Sequence, residues 1–276
     1  MTSSPCAILI VTATVEGNMS KVYEALGAGA LDAANTPTLG AQDARIGGAA
    51  LRYKIETISK LIEEPTEVVG NIELSLSTEL PRNAPLIAIG ASAGGPAAIA
   101  EVLGSLPAGF SASIVIVQHV DEQFAPGLAD WLGLKSRLTI RLAGEDDAPQ
   151  CGTGLVACTA GHLILKSSGR LGYTVHPKNQ FYCPSVDVFF KSIAQHWRDD
   201  AIGVLLTGMG RDGAVGLKAL RDAGHHTIAQ DAATSAVFGM PKAAAALGAA
   251  VQILPLSRIA AALIQAVTIN PLSTSL

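Results

Sequence analysis

The sequence is poor in charged and aromatic residues. Of its 276 residues, 15% are charged and 4% are aromatic, whereas 49% are hydrophobic. This composition excludes a disordered chain, which needs low hydrophobicity and high net charge, and it leaves enough apolar side chains for a large core. The net charge is −4, and Lys and Arg are scattered along the chain. We therefore expect a folded protein that does not bind nucleic acid.

Cysteine is also scarce. The four cysteines are Cys6, Cys151, Cys158 and Cys183. No two of them form a C-x-x-C pair, so we expect separate reduced thiols and no zinc site. His225 and His226 are adjacent but belong to no metal-ligand motif. The sequence predicts neither a metal nor a cofactor.

Long hydrophobic runs are missing from the N-terminal region. The apolar run Ala7–Val11 has only five residues, and no charged segment precedes it. It is too short for a signal peptide or for a membrane span. We expect a cytoplasmic protein without membrane insertion.

Residues 1–40 form the first of three regions that differ in pattern. They read as a strand, a helix and a strand, with an apolar run at Cys6–Val11 and a helix at Met19–Leu26 that ends at Gly27. Two strands and one helix cannot bury both faces of a sheet, so this region looks incomplete by itself.

Residues 41–83 are predicted to be a linker. Leu51, Ile55 and Ile58 recur at helical spacing within a charged background, which predicts an amphipathic helix. Prolines and small polar residues in the stretch Ser75–Pro85 mark the boundary to the next domain.

Residues 84–270 alternate apolar strands with helices. The strand-like runs are Leu86–Gly90, Ser113–Gln118, Gly154–Cys158, Ile202–Leu206, Thr227–Gln230 and Val251–Leu254. Continuous apolar strands that alternate with helices are typical of α/β domains. We predict a doubly wound, mainly parallel sheet with helices on both faces.

A turn of small residues follows the first of these strands. The segment Gly90-Ala91-Ser92-Ala93-Gly94 lies between an apolar strand and a helix, which is the context of a G-x-S-x-G nucleophile elbow. Small neighbours allow a tight turn around the serine, and the helix start offers backbone N–H groups to an oxyanion. The alternative is a plain turn, and the motif alone does not decide.

Two further strand ends carry the residue types of a catalytic triad. His119 follows Ser113–Gln118, and Asp212 lies in the glycine-rich loop after Ile202–Leu206. Parallel strands end at one edge of the sheet, where sites form in open α/β folds. The alternative role of Asp212 is to cap the helix that follows it. The coincidence of Ser, His and Asp at three strand ends favours a triad.

Several segments resemble the catalytic domain of the chemotaxis protein-glutamate methylesterases, the CheB family. In chain order they are LIAIGASAGGPAA, IVIVQHV, YCPSVDVFF, IGVLLTGMGRDGAVGLKALRDAG, TIAQDAATSAVFGMPKAA and GAAVQILPL. The resemblance runs over residues 84–268, and its TGMGRDGA and VFGMP stretches are highly characteristic.

The resemblance implies a serine hydrolase that demethylates glutamate methyl esters, and deamidates glutamines, on chemoreceptor-like proteins. Ser92 matches the family's nucleophile, His119 its base and Asp212 its orienting acid. Met209 matches the residue whose backbone N–H lines the oxyanion hole, and elbow geometry adds the Ala93 N–H as a second donor. The implied partners are the methylated cytoplasmic helices of a chemoreceptor and, in longer forms, a signalling histidine kinase.

In the N-terminal region, the segments ILIVTATVEGN and EALGAGALDAANTP resemble the last third of a phosphoacceptor receiver domain, and they are also similar to methylesterases of Wsp-type pathways. Thr12 matches the receiver's switch hydroxyl, whereas Thr36, before Pro37, stands where receivers usually carry lysine. Residues 1–40 hold no match to the acidic pocket or the phosphoacceptor Asp. We expect a receiver remnant that phosphorylation does not activate, and therefore constitutive esterase activity.

Two other functions are compatible with the sequence. An α/β-hydrolase of small esters orders its triad Ser, acid, His, which would pair Asp212 with His225 or His226 and leave His119 dispensable. Comparing His119→Ala with His226→Ala tests this alternative. A catalytically silent receptor-docking module is the other alternative, and labelling of Ser92 by a fluorophosphonate tests it.

Overall fold

The computed structural model describes residues 6–13, 15–37, 48, 51–52, 54–56, 58–59, 85–158, 161–178, 180 and 182–269. The strands are β1 (Leu9–Thr12), β2 (Asp32–Asn35), β3 (Leu86–Ala91), β4 (Ser113–Gln118), β5 (Thr139–Leu142), β6 (Thr153–Val156), β7 (His162–Leu165), β8 (Leu171–Thr174), β9 (Ala201–Leu205), β10 (His226–Gln230) and β11 (Gln252–Leu254). The helices are α1 (Val15–Gly27), α2 (Gly95–Gly104), α3 (Ala125–Lys135), α4 (Val186–His196), α5 (Ala214–Asp222), α6 (Met240–Ala246) and α7 (Leu256–Ile269), with a 3-10 turn at Glu122–Phe124.

Seven strands form one parallel sheet in the order β11-β10-β9-β3-β4-β6-β5. Side chains alternate across it, so that Ile87 and Ile89 of β3 join one core and Leu86 and Ala88 join the other. Helices α2, α3 and α7 cover the first face, and α4, α5 and α6 cover the second together with the antiparallel β7–β8 hairpin. The predicted doubly wound parallel sheet is confirmed.

The sequence patterns identified six of the seven strands and missed β5. Its residues alternate between exposed and half-buried positions at the edge of the sheet. β5 lacks the continuous apolar run by which the other six strands, including β11 at the opposite edge, were recognised, so the pattern does not detect it.

The N-terminal unit, defined here as β1, α1 and β2, packs against the catalytic unit, residues 85–269. Its two strands pair in parallel. On α1, the Tyr23 ring stacks on Trp131 of α3 at a centroid distance of 5.8 Å, and the Tyr23 hydroxyl donates to the Phe124 carbonyl at 2.6 Å. The face that the short N-terminal elements cannot bury among themselves is thus buried on the catalytic unit.

In the predicted linker, the described residues between 48 and 59 are helical, and Leu51, Ile55 and Ile58 are among them. The boundary stretch Ser75–Pro85 lies outside the described residues apart from Pro85. The domain limits and the receiver origin of residues 1–40 therefore stay predictions. None of the helices in the described part of the chain combines the length and hydropathy that a bilayer crossing requires.

Candidate active site

Three neighbouring strands end at the candidate site. Ser92 follows β3, His119 follows β4 on one side of it, and Asp212 lies in the loop after β9 on the other side. All pairings among these strands are parallel, so their carboxyl ends meet at one edge. The chain changes direction in the sheet between β3 and β9, which is where crevices open in doubly wound folds. The three predicted triad residues are therefore brought to one place.

Asp212 is held by both His119 and the start of α4. Its Oδ2 lies 2.8 Å from His119 Nε2. The Ser185 hydroxyl donates to Oδ1 at 2.8 Å, and the backbone N–H groups of Val186 and Asp187 donate at 2.7 and 3.1 Å. Burial by itself would raise the pKa of Asp212, but the bond to His119, the imidazole charge and the donors of α4 outweigh burial and hold this pKa below its usual value.

The capping alternative for Asp212 is wrong for the helix that follows it. The N-cap of α5 is Gly213, at a positive φ of 88°, and no side chain caps that helix. The Asp212 carboxylate reaches α4 instead, since the loop after β9 crosses the start of that helix. This position leaves the carboxylate available to orient an imidazole.

Of the two ring nitrogens of His119, only Nε2 has a hydrogen-bond partner among the described residues. Its side chain is 7% exposed. Nδ1 is buried and has no hydrogen-bond partner among the described residues. His119 and Ser92 line the same small cavity. Tyr182 covers the ring face, with a centroid distance of 3.9 Å and an interplanar angle of 8°. The imidazole is thus fixed through Nε2 and stacked on one face, and Nδ1 has no partner among the described residues.

The turn after β3 differs from the strained elbow of α/β-hydrolases. Among the described residues other than glycine, only Asp146 has a positive φ, so Ser92 itself is not in that region. The positive φ falls on Gly94, at 73°. The Ser92 N–H donates to the Thr207 carbonyl at 3.0 Å, and a Cβ on Gly208 would lie 2.8 Å from the Ser92 Cβ. Glycine at 208 lets the β9 loop come this close to the serine.

The two backbone groups proposed as oxyanion donors belong to residues that pack together. Ala93 and Met209 are buried in one small apolar cluster with Val237. The Thr207 hydroxyl lies 3.0 Å from the Ala93 carbonyl and accepts the Val237 N–H at 2.8 Å. This hydroxyl therefore connects the turn after β3 to the loop after β9. The roles of Ala93 and Met209 stay predictions.

The N-terminal unit and the linker helix lie on this part of the site. Ile58, Leu9 and Leu31 pack on the Ala93–Met209 cluster. The Leu31 carbonyl accepts the Gly94 N–H at 2.8 Å, so the contact reaches the backbone of the turn itself. In this arrangement, residues of the N-terminal unit and of the linker helix pack beside the turn that carries Ser92.

His225 and His226, considered for an α/β-hydrolase triad, do not lie at the candidate site. His226 is the first residue of β10, at the end of the strand opposite the site, and its Nε2 lies 3.4 Å from Gln252 Oε1. Asp212 bonds to His119 instead. The arrangement therefore does not support the triad order Ser, acid, His in this chain.

Sequence patterns missed several residues around the triad. Ser185 carries only the signal of a helix cap, yet its hydroxyl binds Asp212, and its backbone N–H donates to Nδ1 of the buried His162 at 3.1 Å. Tyr182 begins the YCPSVDVFF segment of the family resemblance, but no pattern assigned it a role at the site. Gln118 adjoins His119, and adjacency in sequence does not reveal which groups its amide would reach.

Comparison with known proteins agrees with this geometry. Residues 87–263 match the family model described as CheB methylesterase. The chain belongs to the CheB methylesterase family. That match contains all three strand-end residues and confirms the resemblance found in the sequence motifs.

Named relatives extend the likeness into the N-terminal unit. A Mesorhizobium japonicum protein named protein-glutamate methylesterase/protein-glutamine glutaminase is 57% identical over 273 residues, covering 96% of this chain and 78% of its own. A Burkholderia orbicola protein of that name is 57% identical over 256 residues, covering 93% and 75%. The crystal structure of the Thermotoga maritima CheB methylesterase catalytic domain superposes with a TM-score of 0.64 at 34% identity, over 67% of this chain and 99% of that domain.

Proposed function

We propose that the chain hydrolyses glutamate methyl esters, and deamidates glutamines, on methyl-accepting chemoreceptors, with Ser92 as nucleophile, His119 as general base and Asp212 as orienting acid. The observation that carries the proposal is the 2.8 Å contact between His119 Nε2 and Asp212 Oδ2, made at the two strand ends that flank Ser92. The names of the relatives supply the two reactions.

The mechanism follows from the two ring nitrogens of His119. With Nε2–H donating to Asp212, Nδ1 carries the lone pair and takes the Ser92 proton as Oγ attacks the ester carbonyl. The Ala93 and Met209 N–H groups would stabilise the oxyanion. The proton then passes from His119 to the leaving methoxide, and methanol departs. Water, deprotonated by the same nitrogen, releases the glutamate; with a glutamine substrate, ammonia leaves instead.

The proposed substrate is a protein surface, the methylated helices of a receptor on its cytoplasmic side, and the enzyme would work in that compartment. A signalling histidine kinase is proposed as a regulatory partner only for longer forms that carry a complete receiver. The site needs no cofactor in this proposal, because a serine, an imidazole and backbone donors suffice for acyl transfer.

The test is methanol release from methylated receptor membranes by this chain and by its Ser92→Ala variant. Fluorophosphonate labelling is measured in parallel, also on residues 84–276 alone, because the N-terminal unit covers the turn. We expect release and labelling with the wild-type residue and neither with alanine. A folded protein that neither releases methanol nor labels in either form would be a silent docking module.

A further inference from the structure

Gln118 is the last residue of β4 and directly precedes the proposed base, yet the proposed mechanism assigns it no step. Its side chain is buried, with 3% of its surface exposed. The amide nitrogen Nε2 donates to two backbone carbonyls, that of Ser92 at 2.8 Å and that of His119 at 2.9 Å. A single side-chain amide thus joins the residue that carries the nucleophile to the residue that carries the base.

The two bonds lie where the backbone ladder between β3 and β4 ends. The register pairs Ala91 with Gln118, and the ladder closes with the His119 N–H donating to the Ala91 carbonyl at 3.0 Å. Beyond this point the chain turns at Ser92, whose carbonyl accepts the Gly95 N–H at 2.8 Å. The Gln118 amide continues the cross-strand bonding at the place where the strands must part to present their catalytic side chains.

The amide oxygen of Gln118 is packed just as tightly. Oε1 is buried without a hydrogen-bond partner among the described residues, and Gln118 lines the cavity shared by Ser92 and His119. A Cβ on Gly95 would lie only 2.0 Å from it. The same Cβ would lie 2.8 Å from the Ala91 Cβ, so a side chain at 95 requires both the Gln118 amide and Ala91 to shift.

We propose that Gln118 is a positioning residue that keeps Ser92 and His119 at the separation required for proton transfer. The inference rests on the proposed function of the same site. Proton transfer between serine and imidazole needs hydrogen-bond distance, and a displacement of about 1 Å costs roughly 10² in rate. Without the amide, the turn after β3 loses its side-chain hydrogen bond to the end of β4, and the His119 carbonyl loses the same donor.

The test compares Gln118→Met with Thr227→Val. Methionine keeps the length and the apolar packing of the side chain but removes both donors. Thr227 is also buried and bridges backbone groups, donating to the Ala249 carbonyl at 2.8 Å and accepting the Val251 N–H at 3.0 Å, in the half of β10 away from the site. Each variant loses buried hydrogen bonds, so urea denaturation provides the stability against which the rates are compared.

The readouts are the rate of Ser92 labelling by a fluorophosphonate and the kcat and KM of methanol release. We expect Gln118→Met to label about 10 to 100 times more slowly and to lose kcat with little change in KM. Thr227→Val should label at the wild-type rate despite lower stability. Equal labelling rates in the two variants would overturn the positioning role, whereas a wild-type chain that never labels would overturn the proposed function instead.

Gly95→Ala provides a second variant that keeps the glutamine. Its added methyl would displace Oε1, so the labelling rate should fall, as in Gln118→Met. This variant still tests the proposal if Gln118→Met does not fold. In the double variant Gly95→Ala/Gln118→Ala the methyl still meets Ala91 but no longer the amide, so its added cost should be smaller than in the single variant. A wild-type rate in Gly95→Ala would contradict the proposal.

Discussion

The N-terminal and catalytic units keep their side chains from water in different ways. In the catalytic unit, every residue of β3 and β4 is buried between two layers of helices. In the N-terminal unit, Ala33 and Ala34 are the only buried strand residues, and the buried side chains of α1, Val22, Tyr23 and Leu26, belong to the core under α2 and α3. One unit has its own core, whereas the other is buried by its partner.

This difference determines where the N-terminal unit lies. Because it needs apolar surface from the catalytic unit, it packs on α3 and on the cluster beside the serine, where Leu31 contacts the turn. Lys54 adds an ion pair with Asp32, at 3.1 Å, and approaches Asp121 of the catalytic unit, at 3.7 Å. The expectation of constitutive activity did not take this contact into account, and the predictions below separate the two units.

The largest expected effect is in the catalytic unit. Asp212→Asn places an amide where the Ser185 hydroxyl and two backbone N–H groups of α4 donate, so the amide cannot accept all these bonds and also orient His119. We expect kcat for methanol release to fall by about 10⁴, the loss known for a triad acid in a serine protease.

Asp222→Asn is the control for that loss. Asp222 is an exposed carboxylate at the end of α5, paired with Lys218, and its replacement should leave kcat unchanged. If Asp212→Asn kept the wild-type kcat, the role of the carboxylate would be only to accept hydrogen bonds at the start of α4.

The second effect has the opposite sign and tests the N-terminal unit. Deleting residues 1–83 uncovers the turn after β3, and we expect kcat/KM to rise about tenfold, equivalent to about 1.4 kcal/mol. The catalytic unit should fold alone, since the Thermotoga maritima catalytic domain, which aligns over 99% of its length, was crystallised as such.

Gly127→Leu makes the same comparison in the full chain. A Cβ on Gly127 of α3 would lie 2.0 Å from Met19 Sδ, so leucine should displace α1 without touching the site. Its rate should lie between those of the full-length and the shortened chain. Rates equal to wild type in both variants would show that the N-terminal unit leaves the serine accessible.

A smaller effect is expected from the ring that stacks on His119. Tyr182→Leu removes the aromatic face, and since such pairs contribute about 0.5–1.5 kcal/mol, kcat should fall by roughly 2- to 10-fold. Tyr182→Phe keeps the stacked face and should retain the wild-type kcat. If Phe loses as much activity as Leu, the hydroxyl rather than the stack is the important group.

The smallest effect is on stability and depends on pH. The pKa of Asp212 is lowered in the folded chain, so its ionised form stabilises the catalytic unit at every pH above the unfolded value of about 3.9. This contribution is lost as the pH falls through the folded-state value. In urea denaturation, the stability difference between wild type and Asp212→Asn should be constant above about pH 5 and shrink below pH 4. A difference that grows toward low pH would contradict the lowered pKa.

The sequence by itself determined six of the seven strands of the sheet and the three residues at its edge. Buried strands appear as apolar runs of known period, and Ser92, His119 and Asp212 follow such runs, so their convergence needs only the rule that parallel strands end together. The tertiary structure alone decided what holds those residues. Ser185 binds Asp212, which is 27 residues away in the chain, and Tyr182, three residues before Ser185, stacks on His119.

The features that the sequence predicts depend on neighbouring residues, whereas the contacts around the site depend on residues far apart in the chain. Hydrophobic periodicity is a local property of a few turns or strand residues, so it can be read along the chain. A hydrogen bond or a ring stack between distant segments depends on directions accurate to fractions of an ångström, which follow from the packing of whole layers. The packing of the N-terminal unit on the turn after β3 also depends on contacts between distant segments. Its own pattern indicated that it needed a partner, and only the fold showed that the partner is the surface beside Ser92.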